Sequence, residues 1–267
     1  MKYAFMTFST PTLTLAEVLA TARQYGYDGI EPRLDAEHLH GIEVTASAAE
    51  RAAIRRQVAE SGIALACLAT SLTYADPATS AAMRQGTHER VELAGDLGVP
   101  VIRVFGGQLP AGLSREAAID QVITSLRAVA DHARQRGVTI AMETHDDWRD
   151  PQHVAAVMRG VNHAAVAVNW DIMHPVNGGF ATVAGAFATL QPWIRHLHVH
   201  DGNDGANGLA FAPIGTGKID HRSAVRLLLG LNYAGYISGE WINWEDYRSH
   251  LPRELATLKD YEKNARF

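Results

Sequence analysis

The chain has 267 residues, of which 47% are hydrophobic and 20% charged, and its formal net charge is -5. This is ordinary globular composition, long enough to bury a large core, and the acidic balance argues against a nucleic-acid partner, which needs a basic face. The single cysteine, Cys67, excludes an intrachain disulfide and favours a reducing compartment, where we expect it to pack as a small buried hydrophobe.

The first residues, MKYAFMTFSTPTL, lack the apolar stretch of a signal peptide. No window approaches the ~20 apolar residues of a membrane-spanning helix. We therefore expect a cytoplasmic protein with no membrane partner.

Short apolar runs alternate with amphipathic helical stretches along the chain. The first predicted strand is followed by a helix over Leu15–Tyr25, which Gly26 ends, and helices over Ser47–Ser61, Ala82–Leu97 and Ser114–Arg136 repeat this pattern. The apolar runs are short and uninterrupted, which is typical of strands buried on both faces of a parallel sheet. The predicted strands are Tyr3–Phe8, Gly29–Pro32, Ile63–Ala69, Val101–Phe105, Thr139–Thr144, Ala165–Asp171, Ile194–His200 and Tyr236–Trp241.

These eight strand–helix units recur about every 33 residues and leave no room for a second domain. They predict one (β/α)8 TIM barrel over residues 1–267. The alternative is a doubly wound sheet. It is weakened because the first strand is followed by Ser9-Thr10-Pro11-Thr12 rather than by a glycine-rich phosphate loop.

The last four predicted strands each end in a residue of metal-ligand type, Glu143, Asp171, His198 or Glu240. Active sites of such barrels lie at the carboxyl ends of the strands, so these side chains should converge. Three close carboxylates repel one another unless a cation lies between them. Three oxygens and one nitrogen suit Mn²⁺ or Mg²⁺ best, with Co²⁺ and Zn²⁺ as alternatives.

A single acid at a strand end is more often a cap or an ion-pair partner, so the prediction depends on all four residues together. Alternation along the seventh strand places His196, His198 and His200 on one face, and periodicity does not choose among them.

The chain resembles the sugar phosphate isomerase/epimerase family of xylose isomerase-like barrels over nearly its whole length. The resembling segments, in order, are Gly26–Glu31, Leu97–Gly107, Met142-Glu143, Asp171–His174, His198–Asp201, Ile214–Asp220 and Gly239-Glu240.

The resemblance implies one divalent metal held by Glu143, Asp171, His198 and Glu240, and it selects His198 because the acid Asp201 follows three residues later. His174 is similar to a substrate-contacting residue of the epimerases. The superfamily also contains AP endonucleases, which have additional histidines after the third, fourth and seventh strands. This chain lacks those histidines, so the endonuclease branch is disfavoured.

The chemistry that the resemblance implies is proton abstraction beside a carbonyl group, through a metal-stabilised enediolate. Glu143 and Glu240, each also a ligand, are the predicted acid/base pair. His174 and His145 are predicted to hold substrate hydroxyl groups.

Two cationic side chains are predicted to meet anionic substrate groups, and each has an alternative interpretation. Arg103 could instead form an ion pair with Glu31 or Glu143, and Lys218 could merely flank a tight turn. For His145 the alternative is a structural hydrogen bond.

Three functions compete. The first is an isomerase or epimerase acting on a carbohydrate or another hydroxy-carbonyl compound. The second is a metal-dependent lyase, a dehydratase or keto-glycoside eliminase, and the third is a non-catalytic sugar-binding barrel, which the full ligand set disfavours. Leu251–Phe267 and Trp241–Tyr247 are a candidate surface for a homo-oligomer.

Overall fold

The computed structural model describes residues 1–205 and 208–265. Its main sheet is a nearly closed parallel barrel surrounded by helices, which confirms the predicted TIM barrel. The strands are β1 (Lys2–Met6), β2 (Gly29–Glu31), β3 (Ala64–Leu65), β4 (Leu68–Ala69), β5 (Val101–Val104), β6 (Thr139–Glu143), β7 (Val166–Asp171), β8 (Ile194–Val199), β9 (Asp201–Gly205), β10 (Gly208–Ala212) and β11 (Tyr236–Gly239). The helices are α1 (Leu15–Tyr25), α2 (Ala48–Ser61), α3 (Ser80–Leu97), α4 (Arg115–Gln135), α5 (Pro151–Val161), α6 (Met173–Asn177), α7 (Val183–Leu190), α8 (His221–Gly230) and α9 (Tyr247–Asn264).

The strand order around the barrel is β3-β2-β1-β11-β8-β7-β6-β5-β4. The first and last strands of the chain's barrel, β1 and β11, are therefore neighbours, with Lys2 in register with Tyr236. The order places β7 and β8 between β6, which ends in Glu143, and β11, which Glu240 follows.

The predicted third strand, Ile63–Ala69, forms two short strands instead of one. β3 pairs with β2, whereas β4 pairs with β5. The Ala66 and Ala69 N–H groups still donate to Ile30 O (2.8 Å) and Pro32 O (2.9 Å), so contact with the β2 segment continues across the break. This segment is the place where the barrel closes, and it divides its hydrogen bonds between two neighbours.

Local sequence explains the helix boundaries. Thr14 and Ser47 each accept a hydrogen bond from the backbone three residues later, and Glu17 and Glu50 complete the two capping boxes. Gly26 ends α1 at φ 84°, a left-handed conformation that glycine adopts without strain.

The segment 201–212, just after β8, contains the antiparallel hairpin of β9 and β10. Residues 206 and 207 of that segment lie outside the described residues. The predicted burial of Cys67 is confirmed. In the part of the chain that the structure describes, no helix is both long enough and apolar enough to cross a membrane.

Candidate metal centre

Four predicted ligands lie together at the carboxyl end of the barrel. Glu143 ends β6, Asp171 ends β7, His198 lies one residue before the end of β8, and Glu240 follows β11 directly. All four residues are buried, and one ligand atom of each lies within 4.8 Å of the others. The strand ends therefore bring together the side chains that the sequence pattern selected.

His198 lies at the centre of this group. Its Nδ1 is 3.1 Å from Glu143 Oε1 and 3.1 Å from Glu240 Oε2. The amide of Asn169 is 3.1 Å from the same nitrogen. One imidazole nitrogen thus faces two carboxylates from different sides.

The other nitrogen of His198 contacts Glu31, a residue to which the sequence analysis gave no role in the metal site. Glu31 Oε1 is 3.0 Å from His198 Nε2, and Glu31 Oε2 is 2.8 Å from His196 Nε2. The Glu31 carboxylate is fully buried, and each of its two oxygens accepts a hydrogen bond from one histidine. A carboxylate that accepts from Nε2–H leaves Nδ1 as the lone-pair nitrogen, which is the form that binds a metal.

The donor set fits a divalent cation. If His198 Nδ1 carries a lone pair, it is an acceptor, and so are Glu143 Oε1 and Glu240 Oε2. Each carboxylate oxygen would then lie 3.1 Å from this nitrogen with no proton between them. Glu143 Oε2 and Asp171 Oδ2 are also buried, and each lies close to a basic side chain, Arg103 at 3.1 Å and His200 at 2.9 Å. Three carboxylates and one imidazole are ligands of hard or borderline divalent ions, and such an ion would satisfy the acceptors that face His198 Nδ1.

The electrostatics of the group indicate the same need for positive charge. Burial opposes charge on His198, yet Glu31, Glu143 and Glu240 raise its pKa well above the ordinary value. Burial would raise the pKa of Glu240, but the charge of His198 outweighs it and lowers that pKa to about 2. Glu240 therefore stays ionised at neutral pH, and a cation is what this cluster stabilises.

A second group surrounds the outer oxygen of Asp171. His200 Nε2 lies 2.9 Å from Asp171 Oδ2, and His174 Nε2 lies 3.8 Å from the same atom. Asp171 Oδ1 accepts from the backbone N–H groups of Met173 and His174, which fixes the carboxylate. His174 thus lies next to the candidate centre, and its substrate contact remains a prediction.

The other predicted substrate-binding residues have different surroundings. His145 is one-third exposed and pairs with Asp146 Oδ1 at 2.8 Å. Burial opposes its charge, but the bond to Asp146 raises the pKa of His145 to about 9.

Arg103 is buried, and its Nε lies 3.1 Å from Glu143 Oε2, so the ion pair that the sequence analysis named as the alternative is present. Lys218 lies beyond β10, where its backbone N–H donates to Gly202 O at 3.2 Å. A substrate role for either side chain remains a prediction.

The segment Ile214–Asp220 holds a buried carboxylate. Asp201 accepts hydrogen bonds from the backbone N–H groups of Gly202, Gly215, Gly217 and Ile219. A Cβ on Gly217 would lie 2.2 Å from Asp201 Oδ1, so only glycine fits there. This acid, which the family resemblance singled out, therefore anchors the segment after β10.

A parallel barrel with these candidate ligands at its strand ends defines a class of protein, and a comparison with known families identifies that class. The xylose isomerase-like TIM barrel family model matches residues 19–261. The chain belongs to this family.

Two curated relatives are similar in sequence. A Xenopus laevis protein named as a hydroxypyruvate isomerase is 26% identical over 197 residues, which are 68% of this chain and 66% of that protein, just under two thirds of its length. The L-ribulose-5-phosphate 3-epimerase of Salmonella paratyphi C is 24% identical over 258 residues, covering 92% of this chain and 88% of the epimerase.

Solved structures share the fold. A Bacillus anthracis protein described as a 3-DHS dehydratase superposes with a TM-score of 0.81 at 18% identity, covering 97% of this chain and 99% of that one. A xylose isomerase-like TIM barrel protein of Mycobacterium smegmatis in complex with magnesium gives a TM-score of 0.77 at 19% identity, covering 99% and 97%.

Proposed function

We propose that this protein is a divalent-metal-dependent isomerase or epimerase of sugars or related hydroxy-carbonyl compounds. The observation that carries the proposal is the approach of Glu143 Oε1 and Glu240 Oε2 to the same nitrogen of His198, each at 3.1 Å. Relatives named as a hydroxypyruvate isomerase and a ribulose-phosphate epimerase support it.

Mn²⁺ or Mg²⁺ is the proposed metal, with Glu143, Asp171, His198 and Glu240 as its ligands. When bound, it would polarise the substrate carbonyl and stabilise the negative charge that develops on proton removal. A related fold solved with magnesium supports this choice of ion.

The two glutamates supply the proton transfer. One carboxylate removes the proton from the carbon beside the carbonyl, and the electron pair of the C–H bond moves to the carbonyl oxygen. For an epimer, the other glutamate is protonated at this stage and returns its proton to the same carbon from the opposite face, while the electron pair moves back from the oxygen. For an isomer, the proton goes to the former carbonyl carbon, and the hydroxyl proton of the first carbon passes to the former carbonyl oxygen. The pKa of Glu240, lowered to about 2, keeps it ionised as a proton acceptor.

The remaining residues of the site hold its geometry. Arg103 fixes the second oxygen of Glu143 through the 3.1 Å ion pair, and its guanidinium lies 4.0 Å from the ring centre of Phe105. His174 and His145, whose rings lie 4.4 Å apart, are the proposed partners of the substrate hydroxyl groups.

Solvent deuterium exchange tests the proposal. The Mn²⁺-loaded protein is incubated in D₂O with L-ribulose 5-phosphate or hydroxypyruvate, and deuterium at carbon is followed by NMR. Incorporation with the product an isomer of the substrate supports the proposal, and Glu143→Gln should abolish it. Absence of exchange with every ketose tried, at full metal occupancy, would contradict it.

A lyase is the second candidate, because the site contains a proton donor that an elimination needs. His145, with its pKa raised to about 9, is protonated at neutral pH and lies at the barrel mouth. The similarity in fold to a protein described as a 3-DHS dehydratase also favours a lyase. An unsaturated product with the mass of one water lost, and loss of that product in His145→Gln, would distinguish the lyase from the epimerase.

A further inference from the structure

Arg33 lies at the carboxyl end of the barrel, the end that also holds the candidate metal centre. It follows the end of β2 and forms an isolated parallel bridge with Ala69. Side chains two residues apart in an extended strand point to the same side, and Glu31 points inward to His198. Arg33 is therefore the next inward position on the same strand, one layer nearer to solvent.

The guanidinium of Arg33 is held rigidly, but by neutral groups. Nη1 donates to the carbonyl oxygens of Leu34 and Ala69, the latter at 3.3 Å. Nη2 donates to Ser71 Oγ at 2.5 Å. A guanidinium has five N–H donors, so two remain for a ligand.

No carboxylate of the described residues lies within ion-pair distance of Arg33, although two acids are on the same loop. Asp35 pairs with Arg90 at 2.6 Å. The Glu43 carboxylate accepts from the Asp35 N–H at 3.0 and 3.2 Å. Both acids are engaged elsewhere, and the half-buried charge of Arg33 is left facing the mouth.

Arg103, the other arginine near the centre, differs in this respect. Its charge is neutralised by Glu143, and it is 1% exposed. Arg33 is only partly buried, and the charges of Arg103 and Glu240 both act on it electrostatically. The ring of Phe8 lies 5.8 Å from its guanidinium and forms an apolar wall beside it.

We propose that Arg33, with the Ser71 hydroxyl, binds an oxyanion carried by the substrate, either a carboxylate or a phosphate monoester. A planar fork of N–H donors held at one side of the mouth matches the oxygens of such a group. This inference rests on the proposed function, and it narrows the substrate to an acidic hydroxy-carbonyl compound.

Two matched substrate pairs test the inference. Hydroxypyruvate is compared with dihydroxyacetone, which replaces the carboxylate by a neutral CH₂OH group. L-Ribulose 5-phosphate is compared with L-ribulose. Deuterium exchange gives kcat and KM for each compound in the Mn²⁺-loaded protein, and inhibition by inorganic phosphate and by acetate is measured alongside.

The wild-type protein should prefer the acidic member of one pair, and that pair tells whether the group is a carboxylate or a phosphate. Arg33→Gln should raise KM for that member roughly 10- to 100-fold, the usual effect of losing hydrogen bonds to a charged group. KM for its neutral partner should stay within about twofold, and phosphate or acetate inhibition should weaken in parallel.

Controls separate this role from a structural one. Arg195→Gln removes the same charge from an exposed position at the start of β8, at the far end of the barrel, and should leave both ratios unchanged. Arg33→Lys keeps the charge but lacks the fork, and it should retain part of the preference even where Arg33→Gln folds poorly.

The outcomes are distinct. Deuterium exchange into the neutral compounds alone would overturn the role of Arg33. So would an equal rise in KM for both members of a pair in Arg33→Gln. Either result leaves the proposed function standing. Exchange of none of the four compounds removes the proposed function, and the inference falls with it.

Discussion

Replacing Glu31 by glutamine tests how the candidate metal ligand His198 is held. The change keeps the shape of the side chain but turns one acceptor oxygen into an NH₂ donor. That donor can point at His198 Nε2, which lies 3.0 Å from Glu31 Oε1 in the present structure. The imidazole would then carry its proton on Nδ1, the nitrogen that faces Glu143 and Glu240.

The expected magnitude follows from the contact. Loss of a carboxylate behind a metal-bound histidine typically lowers metal affinity about 10- to 100-fold, equivalent to about 1.4–2.7 kcal/mol. We expect the upper part of this range for Glu31→Gln. The contact is fully buried, and the second oxygen, 2.8 Å from His196 Nε2, is lost as an anionic acceptor at the same time.

Calorimetric titration of the metal-free protein with MnCl₂ measures this affinity directly. ¹⁵N NMR of the histidine rings in the metal-free protein, recorded at a pH high enough for His198 to be neutral, reports its tautomer, which a merely structural role of Glu31 would not change. Glu254→Gln is the matched control, because Glu254 is a buried glutamate that accepts from the Ile214 N–H at 2.7 Å, outside this site. The reasoning is refuted if Glu31→Gln binds Mn²⁺ within twofold of the wild-type affinity with the tautomer unchanged.

Three further predictions concern catalysis, pH and packing. Replacement of either proposed proton carrier, Glu143→Gln or Glu240→Gln, should lower kcat for deuterium exchange by at least about 100-fold. Circular dichroism should show that the fold is intact. Retained exchange in both variants would contradict the acid/base assignment. Burial lowers the pKa of His40 from 6.5 to about 4, so unfolding takes up a proton between these values. Stability to urea should therefore fall as pH falls through this window, by up to about 3 kcal/mol, and His40→Asn should flatten the dependence. Gly106→Ala should lower the free energy of unfolding by about 1–3 kcal/mol, because the new Cβ would lie 2.3 Å from the buried ring of Trp148; a melting temperature equal to wild type would contradict this.

The barrel was predictable because its signals are local. Apolar runs and the capping residues Thr14 and Ser47 mark strands and helices without any knowledge of tertiary contacts. The break between β3 and β4 was not predictable in this way. Ile63–Ala69 is uniformly apolar, and its division depends on which neighbour each residue pairs with when the barrel closes.

The candidate ligands were predictable because a parallel barrel brings all its strand ends to one edge, so order along the chain becomes proximity in space. Choosing among the histidines of β8 was different, because His196, His198 and His200 all point inward. Their depth separates them: His196 pairs with Glu31, His198 pairs with both Glu31 and Glu143, and His200, just past the end of β8, pairs with Asp171. The depth of each histidine in the barrel depends on how β8 is staggered against its neighbours, which cannot be deduced from the sequence.

Glu31 and Arg33 show what the same rule could still have found. Both lie on the inward face at the end of β2, two residues apart, in the position that marked Glu143 and His145 on β6. The pattern that selects the ligands covers the last four strands of the barrel, and β2 lies outside that run. An arginine, moreover, is not a metal ligand. Yet one strand places a carboxylate behind His198 and, one layer above it, a guanidinium without a carboxylate partner in the described residues. A shift of β2 along the barrel would disturb both contacts together. We therefore expect Glu31→Gln to lower metal affinity and Arg33→Gln to weaken recognition of the acidic substrate. The two effects should be separable only while Ile30 stays in register with Phe5.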